Sequence, residues 1–373
     1  MNFSAALSQY YGEYLILTLI VLAGLPITGL LGVILNWKLS LSYNQKSVSK
    51  KVRGKHCLVT GASQGLGKAT AIELVKAGAH VTIIARGKKD PKTGISSLDS
   101  VVKELELSKV NPDQIIQFFA VDLTVYDKVV EMFEKLFEQG HNPEFLFCNA
   151  GSATPGLFID QLPVQNKEKY EEGEHEWMMK SNYFTHVNVI RALLQVARKG
   201  ESTEEDSICG ISSKIAIKLP KSIILVGSVL STLSFVGFSA YSASKYAIRG
   251  FADAMRSEMK PLGVHVGIYY PGNMATPGFE IENETKPKIT AKIEGSSETV
   301  SAKSAAESLL AGFDRNLFYY SNDLLGELAR VSVNGGNPRP YPVVEILATP
   351  LLATIFTVWA AITDMEIKSF YKK

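Results

Sequence analysis

One glycine-rich turn constrains the fold of this chain more than any other sequence feature. It runs from Thr60 to Gly67 as Thr-Gly-Ala-Ser-Gln-Gly-Leu-Gly, after the β-branched run His56–Thr60 and at the start of a helical pattern. Glycines let the backbone turn tightly and approach a phosphate, and the helix N-terminus presents unpaired N–H groups to an anion. Strand, turn and helix together predict the first unit of a nucleotide-binding α/β fold.

Short β-branched runs alternate with helical patterns from Lys55 to about Asn316. The predicted strands are His56–Thr60, His80–Ala85, Ile115–Val121, Phe145–Cys148, Ser222–Val226 and His265–Tyr270. The predicted helices are Gly65–Ala77, Leu98–Ser108, Lys128–Gln139, Glu174–Arg198, Ser239–Lys260 and Ala302–Arg315. This alternation predicts a single α/β domain over residues 55–316, a Rossmann-type, doubly wound parallel sheet wrapped by helices. The polar stretch Lys199–Lys218 is expected to be a solvated insertion.

The N-terminal end is too apolar for a soluble domain. Tyr14 to Trp37 is a stretch of 24 residues without a charge, and a helix needs roughly 20 apolar residues to cross a bilayer. We predict a transmembrane anchor over 14–37, preceded by a short luminal segment, 1–13. A cleaved signal peptide is the alternative, but no Lys or Arg precedes Glu13.

A basic linker follows the predicted anchor, over residues 38–54. Between Gln45 and His56 the chain has five basic residues and no acid, so the positive-inside rule predicts that everything after Lys38 faces the cytosol. These five positive charges exceed the net charge of the whole chain, which is +2, so the residues outside this linker are mildly acidic in sum. A general nucleic-acid binder is not expected.

The C-terminal end repeats the apolar signal more weakly. Ile346 to Thr363 has 18 uncharged residues, interrupted by Pro350, between a connecting segment, 317–345, and a tail, 364–373. We expect a membrane-associated segment that re-enters or lies on the surface, with a full span and a buried core helix left open. One further expectation is an apolar path for substrate between membrane and site, formed by Phe318, Tyr319, Tyr320, Leu324 and Leu325.

The turn at Thr60–Gly67 also fits a second motif. Gly61-Ala62-Ser63-Gln64-Gly65 matches G-x-S-x-G, the nucleophile elbow of serine hydrolases, with Ser63 as nucleophile. The nucleotide interpretation also accounts for Gly67. Arg86 follows the second predicted strand, with Lys88 and Lys89 behind it. Basic residues at this place suit the 2′-phosphate of NADP better than the ribose hydroxyl of NAD. The three cysteines are far apart in the sequence and predict no metal site.

A candidate catalytic group lies in the second half of the chain. Tyr241 and Lys245 are four residues apart and share one helix face, where the lysine ammonium would stabilise a phenolate and lower the tyrosine pKa. Ser228 ends the fifth predicted strand and would polarise a carbonyl group. Asn182 lies within a long predicted helix, on a face where a polar side chain is expected to bind a neighbour or a water.

Together these residues resemble the short-chain dehydrogenase/reductase superfamily, and within it the 3-ketodihydrosphingosine reductase family. The motifs are Thr60–Gly67, Asp122-Leu123, Asn149-Ala150-Gly151, Asn182, Ser228, Tyr241, Lys245 and Pro271-Gly272 with Thr276. The closer resemblance is carried by Gly237–Gly250, Thr276–Glu280 and Asn283–Pro287, together with the two apolar ends. Cys148 replaces the first asparagine of many relatives.

The resemblance implies a role for each residue. Tyr241 would donate a proton to a ketone that receives hydride from NADPH, Lys245 would hold the nicotinamide ribose, and Ser228 would bind the carbonyl. Asn182 would hold a water in the proton relay. The implied cofactor-binding residues are Gly61, Ser63, Gln64, Gly65, Leu66, Gly67, Arg86, Asp122, Leu123, Asn149, Ala150, Gly151, Tyr241, Lys245, Pro271, Gly272 and Thr276.

The resemblance also implies a substrate and a place in the cell. The substrate would be a long-chain keto-amine of sphingolipid synthesis, reduced at the endoplasmic-reticulum membrane by a cytosol-facing domain, in a dimer or tetramer. Three alternatives stay open: a steroid or retinoid dehydrogenase, a serine hydrolase using Ser63, and an NADPH-binding protein without catalysis. Asn283 begins a glycosylation sequon, so sugar there would indicate a luminal domain.

Overall fold

A computed structural model describes residues 24–87, 97–161, 165–166, 169–170, 173–199, 207–208, 211–212, 219–295 and 299–372. The chain divides into two units, one of residues 41–326 and one of residues 1–40 and 327–373. The larger unit contains the sheet, and the smaller unit contains the long apolar helix of the C-terminus. Some predicted features lie outside the described residues: most of the insertion over 199–218, part of the anchor over 14–37, and the lysines Lys88 and Lys89.

Seven parallel strands form the sheet of the larger unit. They are β1 His56–Thr60, β2 His80–Ala85, β3 Ile116–Ala120, β4 Phe145–Cys148, β5 Ser222–Val226, β6 His265–Tyr270 and β7 Tyr319–Ser321. Across the sheet their order is β7-β6-β5-β4-β1-β2-β3, so the direction of winding reverses between β1 and β4. Doubly wound sheets bind their ligands at the carboxyl ends of the strands beside such a reversal. The predicted fold class is confirmed.

Both faces of the sheet are covered, which explains the continuous apolar runs of its strands. Side chains alternate along β1, so that Leu58 packs into one core while Cys57 and Val59 pack into the other. The helices of the first core are Tyr126–Glu138, Thr185–Ala197 and Ser239–Met259, and those of the second core are Gln45–Val52, Gly65–Lys76, Ser97–Leu107 and Ala302–Asp314. Cys57 and Cys148 are buried and free, and burial raises the pKa of both thiols.

One predicted helix is interrupted in the structure. The segment predicted as Glu174–Arg198 consists of an α-helix, Glu174–Met178, a π-helical turn, Met179–Phe184, and a second α-helix, Thr185–Ala197. π-turns inside α-helices are frequent at functional sites, because the extra residue re-aims a side chain. Here the turn contains Asn182.

The seventh strand overturns the aromatic part of the expected apolar path, whereas Leu325 is 53% exposed, as such a path requires. Tyr319 and Tyr320 lie in β7, are almost completely buried, and their rings pack against Tyr270 and Tyr269 of β6. Phe318 is also buried. A strand of three residues at the sheet edge is too short to show a periodic pattern in the sequence. Its aromatic residues were therefore predicted to line a path at the surface, whereas in the structure they fill the core.

The smaller unit is dominated by one long helix, Pro342–Tyr371, which passes through Pro350 without a break. Its 30 residues extend about 45 Å, more than the roughly 30 Å of a bilayer core. Among the described residues, this is the one helix that is by itself long and apolar enough to cross a membrane. A helix over Gly24–Ser40 packs on it closely, since a Cβ added at Gly29 would be 2.5 Å from the Ala348 nitrogen.

Charged residues in the smaller unit form a buried network. Arg330 is 1% exposed and its guanidinium contacts Glu327 at 2.6 Å and Glu345 at 2.9 Å. Arg339 lies 3.6 Å from the second oxygen of Glu345. Two arginines and two glutamates make this network formally neutral, which limits the cost of burying it.

Candidate active site

The glycine turn forms a narrow cradle at the carboxyl end of β1. Gly61 and Gly65 have φ values of +66° and +57°, which side chains other than glycine rarely adopt. A Cβ at Gly67 would be 2.5 Å from the Gly61 carbonyl oxygen and 2.6 Å from the Asn149 amide nitrogen. The helix Gly65–Lys76 begins here, so its free N–H groups face the turn. The cradle fits a pyrophosphate, and Ser63, Gln64 and Leu66 lie in or next to it.

The loop after β4 holds this cradle in place. The Thr60 hydroxyl accepts hydrogen bonds from the backbone nitrogens of Asn149, at 2.9 Å, and Ala150, at 3.1 Å. The Asn149 side chain donates to the Gly61 carbonyl at 3.4 Å. A Cβ at Gly61 would be 2.7 Å from the Ala150 Cα. Asn149 and Ala150 therefore position the glycine turn, and Gly151 continues the loop toward Asn182.

Arg86 and Asp122 follow the ends of β2 and β3, beside the cradle. The Arg86 side chain is exposed. Burial opposes ionisation of Asp122, but its pKa is nevertheless below the usual value. The carboxylate accepts hydrogen bonds from the Thr124 backbone and hydroxyl, and the charges of Arg86 and Lys128 also favour the ionised form. Leu123 is buried, and its carbonyl accepts from Asn188 at 2.9 Å. An arginine and an ionised aspartate thus flank the end of the crevice away from Tyr241.

The segment after β6 lies across the crevice from the glycine turn. Thr276 caps the helix Pro277–Thr285 and accepts from the Phe279 nitrogen at 3.2 Å. The Thr276 methyl group would be 3.4 Å from a Cβ at Gly65. Pro271 accepts from the Val229 nitrogen, and Gly272 donates to the Asn322 side chain. The predicted cofactor residues of this segment therefore lie opposite those of the first turn.

Tyr241 and Lys245 lie on one face of the helix Ser239–Met259, with the lysine Nζ 5.6 Å from the centre of the tyrosine ring. Lys245 is 5% exposed, and its Nζ donates to the Val226 carbonyl at 3.3 Å. Burial lowers the pKa of Lys245 to about 8. A Cβ at Gly151 would be 3.5 Å from this nitrogen, so the glycine leaves room for the lysine.

The Tyr241 pKa differs from the sequence expectation. Burial raises this pKa well above its usual value, a hydrogen bond with Ser228 lowers it in part, and the charge of Glu282 raises it further. The prediction of a depressed pKa was wrong because it counted the lysine charge and not the loss of solvent around the phenol. A phenol that keeps its proton is suited to donate it. Ser228 caps the short helix Val229–Ser231, which fixes its hydroxyl next to Tyr241.

Asn182 is completely buried, and protein groups occupy its polar atoms. Its side-chain oxygen accepts from the Ser152 nitrogen at 2.8 Å, and its amide donates to the Ser152 carbonyl and the Ser244 hydroxyl. Ser244 in turn donates to the Tyr241 carbonyl at 2.7 Å. Asn182 thus joins the loop after β4 to the helix of Tyr241.

His186, which lies one helical turn after Asn182, belongs to the site but was not among the residues predicted from the sequence. Its ring Nδ1 is 2.6 Å from the Asn182 carbonyl, which also accepts from the Thr185 hydroxyl at 3.0 Å. This carbonyl already has two donors, which leaves little capacity for the relay water that the resemblance implies. Burial and the charge of Lys245 lower the pKa of His186 to about 3, so the ring is neutral. Its spacing of four from Asn182 was the available signal.

The geometry gives little support to a hydrolase centred on Ser63. His56 and His80 lie at the amino ends of β1 and β2, with His141 beside His56, while Ser63 follows the carboxyl end of β1. His186 lies beside Asn182, and His265 begins β6. A groove between Phe158, Phe235 and Tyr246 is lined by Ser239, Ser242 and Ala243 of the Tyr241 helix and does not include the catalytic candidates.

Comparisons with known proteins agree with this geometry. A family profile described as short chain dehydrogenase matches residues 55–221 and 218–287. Solved structures with the same fold include a short-chain dehydrogenase from Sphingobium yanoikuyae in complex with NADPH, with a TM-score of 0.53 and 20% identity, covering 72% of this chain and 88% of that one. A short-chain dehydrogenase from Streptomyces avermitilis has a TM-score of 0.53 and 21% identity, covering 86% of this chain and 99% of that one.

Curated relatives are more similar in sequence. The PIGF/3-ketodihydrosphingosine reductase fusion protein of Schizosaccharomyces pombe is 35% identical over 79% of this chain, which spans about half (52%) of that longer protein. The 3-ketodihydrosphingosine reductase TSC10 of Cryptococcus neoformans is 32% identical over 86% of both chains. The 3-ketodihydrosphingosine reductase of Mus musculus is 32% identical over 64% of this chain and 61% of its own length. The chain therefore belongs to the short-chain dehydrogenase/reductase family.

Proposed function

We propose that this protein reduces 3-ketodihydrosphingosine to dihydrosphingosine with NADPH. The observation that carries the proposal is the convergence of Tyr241, Lys245, Ser228 and Asn182 beside a glycine cradle. It occurs in a chain that matches a protein named for this reaction over 86% of both lengths. The proposed reaction adds two electrons and two protons to a ketone, giving a secondary alcohol.

NADPH, when bound, supplies the hydride for the carbonyl carbon. Ser228 donates a hydrogen bond to the carbonyl oxygen, and Tyr241 transfers its proton to that oxygen as negative charge develops there. Lys245 in its charged form stabilises the tyrosinate that remains. Asn182 positions the Tyr241 helix through Ser244 and the loop after β4 through Ser152. Water then returns a proton to the tyrosinate.

The cofactor would lie along the crevice between β1 and β4. The turn at Gly61, Gly65 and Gly67 would hold the pyrophosphate against the helix N-terminus. Arg86 would pair with the 2′-phosphate, since a guanidinium binds phosphate with two parallel hydrogen bonds. Asp122 would accept from the adenine amino group, and Thr276 would close the crevice over the nicotinamide end.

The membrane assignment rests on the apolar ends. The helix Pro342–Tyr371 exposes Ile355, Val358 and Ile362, and the helix over Gly24–Ser40 exposes Leu31 and Leu35. Apolar surfaces of this kind are rare on proteins exposed to water and are typical of contacts with a membrane or a partner protein. We propose that both ends hold the protein on the endoplasmic-reticulum membrane, with the larger unit in the cytosol and the C-terminal helix crossing the bilayer, because it has no break at which to turn back.

Exposed aromatic side chains on the elements that carry Asn182 and Tyr241 favour a dimer. Phe184, in the π-turn that contains Asn182, is 45% exposed, and Tyr246, in the helix that contains Tyr241, is 41% exposed. Aromatic residues of this kind are enriched in subunit interfaces. Light scattering of the detergent-solubilised protein tests this: a monomeric mass would contradict it.

The deciding assay is NADPH oxidation by the purified protein in liposomes that contain 3-ketodihydrosphingosine, with the alcohol identified by mass spectrometry. We expect turnover by the wild type, and a loss of about 10²–10⁴-fold in kcat for Tyr241→Phe, which removes the proton donor and little volume. NADPH binding by the variant shows that it is folded. Turnover of steroid or retinoid ketones but not of the keto-amine would refute the substrate assignment.

Topology has a separate test at the sequon. Asn283 is exposed at the end of the helix Pro277–Thr285, so a luminal enzyme would carry sugar there. We expect no change in mass after glycosidase treatment of the protein from its native membranes. A glycosidase-sensitive mass shift that Asn283→Gln abolishes would reverse the proposed orientation.

A further inference from the structure

A mixed charge cluster lies beside the catalytic tyrosine, on the segment that follows β6. Glu282 is in the helix Pro277–Thr285, Glu294 ends the helix Lys288–Glu294, and Lys286 lies between the two helices. The Lys286 Nζ is 3.2 Å from Glu282 and 2.5 Å from Glu294. The three side chains are between 4% and 15% exposed.

The cluster has one positive charge fewer than it has negative charges. Glu294 uses both oxygens, one with Lys286 and one with the Asn273 amide at 2.6 Å. Among the described residues, the polar partner of Glu282 is Lys286, which it shares with Glu294. An uncompensated carboxylate in a largely buried position is unfavourable, and a second cation would remove that cost. Burial also raises the pKa of Glu282, and one more positive group would balance the charge of the cluster.

The position of the cluster identifies which molecule would bring that charge. Lys286 lies 4.9 Å from the ring centre of Phe279 and 5.8 Å from that of Phe238, and the Phe238 ring is 6.0 Å from the Tyr241 ring. Burial is the main cause of the raised pKa of the Tyr241 phenol, and the charge of Glu282 raises it further. Phe238 therefore lies between the cluster and the Tyr241 ring, which places the cluster one aromatic ring away from the phenol.

We infer that Glu282 binds the ammonium group of an amino ketone whose carbonyl lies at Tyr241, and that this contact distinguishes keto-amines from neutral lipid ketones. The inference rests on the proposed function. In 3-ketodihydrosphingosine the amine is on the carbon next to the ketone, so an ammonium held by Glu282 places the carbonyl at the tyrosine. Steroid and retinoid ketones lack this cation and would leave the carboxylate unpaired.

The test compares two substrates on two variants. Glu282→Gln removes the charge and keeps the shape, while Glu284→Gln removes an exposed charge two residues further along the same helix. The substrates are 3-ketodihydrosphingosine and the same chain with hydrogen in place of the amine. We expect Glu282→Gln to raise KM for the keto-amine about 10- to 100-fold, the range for a hydrogen bond between charged groups, with KM for the amine-free ketone nearly unchanged.

Two controls separate this inference from a structural effect. Glu284→Gln should keep wild-type KM for both substrates, and Glu282→Gln should keep the wild-type affinity for NADPH. Equal losses on both substrates would refute the role of Glu282, as would an unchanged KM for the keto-amine. If the wild type itself does not reduce the keto-amine, the proposed function fails first. The wild-type measurement therefore distinguishes the two failures.

Discussion

Replacing Gly67 by alanine tests the glycine cradle directly. The added Cβ would be 2.5 Å from the Gly61 carbonyl oxygen, whereas carbon and oxygen in van der Waals contact are rarely closer than about 3 Å. The obstacle is backbone, so the turn itself has to move by at least about half an ångström. Overpacking of this kind costs typically 1–3 kcal/mol.

That displacement would affect both stability and cofactor affinity. The Gly61 turn is tied to β2 through the Ile84 carbonyl and to the loop after β4 through Asn149, so it moves only by weakening these contacts. If the whole cost falls on the bound state, the NADPH dissociation constant rises about 5- to 150-fold. If it falls on the fold, the free energy of unfolding drops by the same 1–3 kcal/mol.

The assays are NADPH binding by fluorescence titration and thermal unfolding with and without NADPH. Gly336→Ala is the matched control, because it makes the same chemical change where no other atom lies within 4 Å of the new Cβ. The control should bind NADPH as the wild type does. A Gly67→Ala protein with wild-type affinity and wild-type melting temperature would show that the turn and the helix are not packed as described.

Three further predictions follow from the charged residues. Because Lys245 loses its charge above a pKa of about 8, kcat/KM for reduction should fall as pH rises through that value, and a flat profile would contradict this. In the unfolded chain Lys245 keeps its proton up to about pH 10.5, so its burial lowers the free energy of unfolding most below pH 8. Lys245→Met should therefore raise the free energy of unfolding by about 3 kcal/mol at pH 7, and by less as the pH rises to 10.5. Arg330→Leu leaves Glu327 and Glu345 with Arg339 as their one cation and should cost about 3–5 kcal/mol in denaturant unfolding in detergent, while the additional change Glu327→Leu, which leaves the neutral pair Glu345 and Arg339, should recover most of it.

Much of this protein can be predicted from local patterns. Six of the seven strands are recognisable because parallel strands buried on both faces have continuous apolar runs, as in His80–Ala85. The turn at Thr60–Gly67 and the pair Tyr241 and Lys245 are equally local, since spacing along one helix face and positive φ at glycine are properties of a few consecutive residues. The long apolar stretches at the two ends are visible for the same reason.

Other properties depend on residues that are distant in the sequence. The pKa of Tyr241 is raised by burial among surrounding elements and by the charge of Glu282, some forty positions away. The local neighbour Lys245 alone had predicted a lowered pKa. The π-turn at Asn182, the hydrogen bonds that occupy its atoms, and the core position of Tyr319 likewise arise from contacts across the sheet. The sequence by itself determined the fold class and indicated the candidate reacting groups, because those depend on periodicity and residue type. Only the tertiary structure decided the direction of their pKa shifts and which carboxylate acts on Tyr241, because desolvation and charge pairing are set by whatever packs around a group.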